Sequence, residues 1–154
     1  KDVLKHNTMV EKNTYQLAAD PTKHIKSPTK KDRVPYIDFS PLQNELVLLN
    51  ESITEFEKTN STALSSKIRN ELNKKLMKAE HMLTSERGLP RRPWFKHQIY
   101  APGFYTGYGV KTLPGVREAI EQKDWKEAQE QIEILTSTFK SFNTYIKEMN
   151  VSIK

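Results

Sequence analysis

Four histidines, His6, His24, His81 and His97, are the first side chains to weigh for chemistry, since imidazole serves as general base and metal ligand near neutral pH. None has a second ligand at metal-binding spacing. There is no His-Glu-x-x-His pair and no repeated Glu-x-x-His of the di-iron bundle kind. Glu80 and His81 are adjacent, and helix neighbours point about 100° apart. Cysteine is absent, which removes thiolate zinc ligands, a cysteine nucleophile and a disulfide framework. No Gly-x-Ser-x-Gly elbow occurs. The run Gly103-Phe104-Tyr105-Thr106-Gly107-Tyr108-Gly109 is glycine-rich, but it lacks the lysine and the strand-to-helix setting of a phosphate loop. The chain therefore reads as non-catalytic, with no metal or cofactor site of its own. What this run can do is present a ring, because Gly107 and Gly109 flank Tyr108 and let the backbone turn sharply.

The elements that would position such a tip follow from punctuation. All five glycines, six of fourteen aromatics and four of eight prolines fall within residues 88–115, so this stretch is not a continuous helix. It is too aromatic to be disordered. An irregular connection of about 30 residues is usually functional when ordered. Its tyrosines either pack the loop onto the helices or reach into a neighbouring site. Trp94 and Phe95 are expected to plug into the bundle, and Arg91 and Arg92 either to sit outside, the favoured reading, or to pair with carboxylates.

Around the loop the pattern is helical. A weak first helix spans 2–19 and stops at Pro21. The linker that follows carries Pro21, Pro28 and Pro35 with lysines between, and reads as extended and mobile. Ser40-Pro41-Leu42-Gln43 starts a second helix, with Ser40 as N-cap, Pro41 at the first position and Gln43 reaching back. Leu42, Leu46, Leu49, Ile53 and Phe56 make one stripe, and the helix ends near Lys58, broken at Thr59-Asn60-Ser61. A third runs to about Leu83, with Leu64, Ile68, Leu72, Leu76, Ala79 and Leu83 inward. Pro114 opens a short helix to about Gln122. Asp124 and Glu127 form a capping box for the longest one. On it Trp125, Ala128, Ile132, Leu135, Phe139, Phe142, Ile146 and Met149 form a heptad seam about 37 Å long. The seam packs either on helices of the same chain or on a second copy. The expected fold is all-α: a single small helical bundle over 1–154, with first helix 1–20, linker 21–40, and core 41–150 holding an ordered loop at 84–113.

The formal charge of +6 is concentrated in two blocks, 21–35 and 86–111, each net +4. Solvated loops are the plain reading. A free-standing basic module for nucleic acid or an anionic surface is the alternative, although such binders gather Lys and Arg on one face. No run of about 18 apolar residues is present, so no membrane span is expected. The chain opens Lys-Asp-Val-Leu without Met and is read as a piece of something longer.

Three segments carry a resemblance: Leu72-Asn-Lys-Lys-Leu-Met-Lys-Ala-Glu80, Gly88-Leu-Pro-Arg-Arg-Pro-Trp-Phe-Lys-His-Gln-Ile-Tyr-Ala-Pro102, and Tyr108-Gly-Val-Lys-Thr-Leu-Pro-Gly-Val116. They resemble the C-terminal helical domain of the glutamate carboxypeptidase II and transferrin receptor family, over about residues 37–150. The resemblance implies a parent zinc exopeptidase whose two zinc ions, catalytic glutamate and protease-associated domain lie elsewhere. It implies an exported or cell-surface parent. The implied partners are a second copy, through a two-fold homodimer, and the parent's own protease and protease-associated domains, with no nucleic acid. Dimer-interface candidates are Trp125, Ile132, Leu135, Phe139, Phe142, Leu46, Leu49 and Ile53. The loop would roof part of the substrate pocket through Thr106, Gly107 and Tyr108. In glutamate carboxypeptidase II a Lys-Tyr pair between the Tyr-Ala-Pro and Pro-Gly segments meets a terminal glutamate. Here the tyrosine is kept as Tyr108 and the lysine is replaced by Gly107, which puts glutamate selectivity in question. The role of Lys111, nearby in sequence, stays open.

Overall fold

The computed structural model describes residues 2–24, 26–60 and 64–152. The chain divides into two units, residues 1–36 and 37–154. The described residues are mostly helical, with one small two-stranded sheet.

In the first unit the expected single helix is two: α1 (Asp2–Glu11) and α2 (Thr14–Leu17). Asn13 between them is left-handed, at φ 52, a conformation asparagine tolerates better than most residues and one that interrupts the helical ladder. The described residues of the proline-spaced segment form neither helix nor strand, and they are tied to α1. Asn7 donates to the Lys31 carbonyl and accepts from the Lys31 N–H, both at 2.8 Å. His6 lies 3.0 Å from the Thr29 carbonyl and 3.1 Å from the Tyr15 hydroxyl.

The second unit is built on α3 (Ser40–Asn60) and α6 (Trp125–Val151), packed along each other, with α4 (Ser66–Ala79) and α5 (Pro114–Gln122) against α6. The core is Leu42, Leu49, Phe56, Leu72, Val116, Ile132, Leu135, Phe139, Ile146 and Met149. The long seam is therefore satisfied inside the chain along most of its length. The stripe on α3 is shifted from its reading. Ser52 is buried, and its hydroxyl donates to the Asn143 Oδ1 of α6 at 2.6 Å, while Ile53 is half-buried and Leu46 is 42% exposed. A serine in a leucine stripe gives no periodicity signal, so the rotation of the face was not legible.

The helix ends differ in detail. Ser40 is already helical, and Asp38 takes its N–H at 2.9 Å, which moves the start of α3 upstream of the expected cap. Residue 61 of the expected break lies outside the described residues. Ser65 caps α4 by accepting from the Ile68 N–H. The third helix ends early, and Glu80–Leu83 form a 3₁₀ turn. Asp124 does cap α6, accepting from the Glu127 N–H at 2.9 Å. Residues 84–113 hold a short antiparallel hairpin, β1 (Tyr100–Pro102) and β2 (Val110–Thr112), with Ala101 opposite Lys111. The connection is thus partly regular, a feature its proline and glycine content concealed.

Candidate functional site

The hairpin tip is the most exposed ordered feature of the loop. Gly103 donates to the Gly109 carbonyl at 2.8 Å, and Gly109 donates to Thr106 at 3.3 Å, closing a turn. Gly107 sits in the left-handed region at φ 61, with open space where a Cβ would be. Tyr108 follows it, fully exposed, with Tyr105 and Val110 exposed beside it. Phe104 packs edge-on against Tyr105, ring centroids 4.8 Å apart. Tyr105 and Tyr108 thus do not bury their rings against the helices.

Beneath the tip both arginines are held by carboxylates, the less favoured of their two readings. Gly88 and Arg91 are both left-handed, at φ 64 and φ 62, and wind residues 88–95 into a tight knot. A Cβ on Gly88 would run into the Pro93 backbone. The knot turns the adjacent arginines onto different helices. Arg91 makes a fork-like pair with Glu127 of α6, both bonds 2.9 Å, which raises the arginine above its ordinary pKa. Glu127 therefore meets Arg91 through the side chain that a capping box would send back to Asp124. Arg92, 3% exposed, donates to both carboxylate oxygens of Glu118 on α5 at 2.8 Å, and also to the Pro102 carbonyl at the end of β1. Glu118 additionally accepts the Phe104 N–H at 2.8 Å. Of the two readings of these arginines, pairing with carboxylates holds and the favoured solvated one does not, because the helix faces opposite them carry glutamates at matching positions.

The other expected anchor is also reversed. Trp94 is 71% exposed and Phe95 only half-buried, and Leu89 fills the core position beneath the knot. Pro93 and the left-handed turn at Arg91 aim the indole outward. Gly115 lets α5 approach α6, since a Cβ there would meet the Gln131 side chain. Lys111 is paired with Glu121, which also accepts from Arg117 at 3.2 Å; the bond to Lys111 is the main cause holding the Glu121 carboxyl below its usual range. Lys111 is thereby directed to α5.

At the other end of the hairpin, Tyr100 donates to Glu80, which pushes the phenol pKa up. His97 Nδ1 accepts from the Ile99 and Tyr100 N–H groups at 3.2 and 3.3 Å, so the neutral ring carries its proton on Nε2. That nitrogen lies 3.6 Å from Glu80 with no hydrogen bond. Burial lowers the His97 pKa, and Glu80 offsets this in part. Among the described residues, no group of three or more His, Asp or Glu side chains gathers as metal ligands would. No helix there is long and apolar enough to cross a membrane. A groove of about 500 Å³ lined by Thr84, Ser85, Arg87, Glu130 and Glu133 among others shares no residue with the hairpin.

Of the interface candidates, Leu49, Ile132, Leu135 and Phe139 are buried in the chain's own core. Trp125, Phe142 and Ile53 are half-buried, and Leu46 is exposed. Val47 and Leu48, which the stripe did not single out, are exposed next to it.

Residues 37–147 match the family model described as the transferrin receptor-like dimerisation domain. The chain belongs to that family. It is 47% identical over 69 residues to a protein of Arabidopsis thaliana named "Probable glutamate carboxypeptidase LAMP1", covering 40% of this chain and 10% of the relative. It is 29% identical over 113 residues to a "Probable glutamate carboxypeptidase" of Arthroderma benhamiae, covering 71% and 16%. It is 31% identical over 101 residues to an "Inactive zinc metalloprotease" of Schizosaccharomyces pombe, covering 62% and 13%. The chain thus spans a small part of the relatives it matches, among which are proteins named as peptidases and one named inactive. A helical domain of a peptidase-like protein is what the fold and these likenesses describe.

Proposed function

We propose that this domain joins two copies of a zinc exopeptidase-like parent and sets Tyr108 in the roof of that parent's substrate pocket. The observation that carries the reading is the hairpin tip, a fully exposed phenol raised on a glycine turn whose base is fixed to two helices. A phenol hydroxyl can donate to the α-carboxylate of a peptide terminus. Gly107 has no side chain to offer, and Lys111, Arg91 and Arg92 are all engaged by glutamates. No free cation from this tip would select an acidic side chain, which argues against glutamate selectivity and for a broader carboxypeptidase or aminopeptidase or an inactive homologue. In this reading the two zinc ions belong to the parent's catalytic domain, and this chain contributes none of their ligands.

In the intact parent, Tyr108→Phe should leave folding unchanged and raise KM for peptide substrates about 2–10-fold, the loss of one ordinary hydrogen bond. Unchanged KM and kcat would remove Tyr108 from the pocket. Self-association is supported by the family and by the exposed Leu46, Val47 and Leu48. An isologous interface of about 800 Å² per partner would cover them. Light scattering of the intact parent at micromolar concentration should give twice the chain mass, and Val47→Asp should lower it toward the monomer. A monomeric wild type sinks the pairing.

A further inference from the structure

We infer that Arg92 and Glu118, with Arg91 and Glu127 beside them, form a positioning clamp that fixes where residues 104–109 stand on α5 and α6, rather than a device that holds the fold together. Arg92 reaches the hairpin through the Pro102 carbonyl, and Glu118 reaches it through the Phe104 N–H, so the pair grips the backbone on both sides of Gly103. The Phe104 ring lies against both guanidinium groups, at 5.6 Å from Arg91 and 5.7 Å from Arg92. Apart from this grip, the tip has its own turn bonds, and the strands behind it are tied by Lys111 to Glu121 and by Tyr100 to Glu80. Those strands have three residues each, and an isolated two-stranded hairpin is marginal in water. Beyond Phe104 the turn residues are exposed.

The pair is a poor source of stability on physical grounds. Both side chains are almost wholly buried, so their desolvation offsets much of their attraction. Arg92 Nε is buried with no acceptor, a further uncompensated cost. What a guanidinium fork supplies instead is direction. Its planar donors fit one placement of Glu118 and Pro102, where an apolar contact would permit sliding. The value of a fixed tip rests on the reading that Tyr108 meets substrate, but the grip itself does not depend on it.

The test uses the intact parent carrying R92M together with E118L, and separately R92K, which keeps the charge and loses the fork. Amide hydrogen exchange is followed at Gly103 and Gly109, neither of which bonds to the altered side chains, alongside core amides of α6 and the denaturation midpoint. Exchange at Gly103 and Gly109 should accelerate by at least about tenfold in the double variant and less in R92K, with core exchange and midpoint retained. Unchanged exchange at the two glycines overturns the clamp. So does acceleration everywhere in step with a lowered midpoint, or failure of both variants to fold, because the pair would then be structural. Tyr108→Phe kinetics are measured beside them. Loosened glycines with KM and kcat untouched in Tyr108→Phe leave the clamp standing and remove the pocket reading. A raised KM in Tyr108→Phe with rigid glycines does the reverse.

Discussion

Along the α3–α6 face the chain is held by aliphatic and aromatic side chains repeating every three or four residues, whereas residues 84–113 are held by charged forks and left-handed turns. The first region buries Leu135 and its neighbours without regard to the direction of any one contact. The second fixes direction, through Arg91 bonded to Glu127 of α6 and Arg92 bonded to Glu118 of α5, and buries little of its own apolar surface, Leu89 and Ala101 excepted. The difference teaches that one fold can divide its tasks. Non-directional burial supplies the stability, and directional polar contacts supply the placement of an exposed tip.

The comparison breaks most readily at Glu118. Removing one partner of a buried pair leaves the other charge uncompensated, so Glu118→Ala should cost about 3–5 kcal/mol by chemical denaturation. A loss under roughly 1 kcal/mol would mean that Arg92 finds water or another acceptor, on the usual scale of surface changes. Leu135→Ala probes the apolar side and should cost about 2–5 kcal/mol through the cavity it leaves, with the hairpin amides following the global change. If the midpoint stayed put, the seam would be less tightly packed than its burial indicates.

A smaller effect is expected from acid at His97. Burial holds its pKa below the ordinary imidazole value, so the folded state favours the neutral ring. The stability this contributes is complete above about pH 6.5 and is lost as pH falls from there through the folded pKa. Protonation would also place a hydrogen on Nδ1, where two backbone N–H groups now donate. His97→Gln should flatten this part of the stability–pH curve, and a curve identical to wild type between pH 7 and 5 would remove His97 as the cause. The smallest change concerns Trp94. Its exposure puts Trp94→Ala within about 0.5 kcal/mol of wild type, where a core tryptophan would cost several. A large loss in the intact parent, absent from this domain, would mark Trp94 as covered by another domain or a second copy.

The helical class, the seam from Trp125 to Met149, the Asp124 cap and the outward Tyr108 were legible in the sequence because each depends on residues a few positions apart. Ser52 in the α3 stripe, the short hairpin and the exposed Trp94 were not, since each depends on what stands opposite. The flanking glycines marked Tyr108 as an outward ring, but its assignment to a substrate pocket came only from segment resemblance.

Chain geometry by itself determined which side chains share a helix face, where helices begin and where glycine permits a turn, since rise, twist and φ are local properties. Only the tertiary structure decided that Arg92 meets Glu118, 26 positions away, and Arg91 meets Glu127, 36 away, and that leucines on one stripe divide between core and surface. Charges attract without regard to sequence distance, and water is excluded by whatever packs alongside, so pairing and burial are settled only when the elements come together.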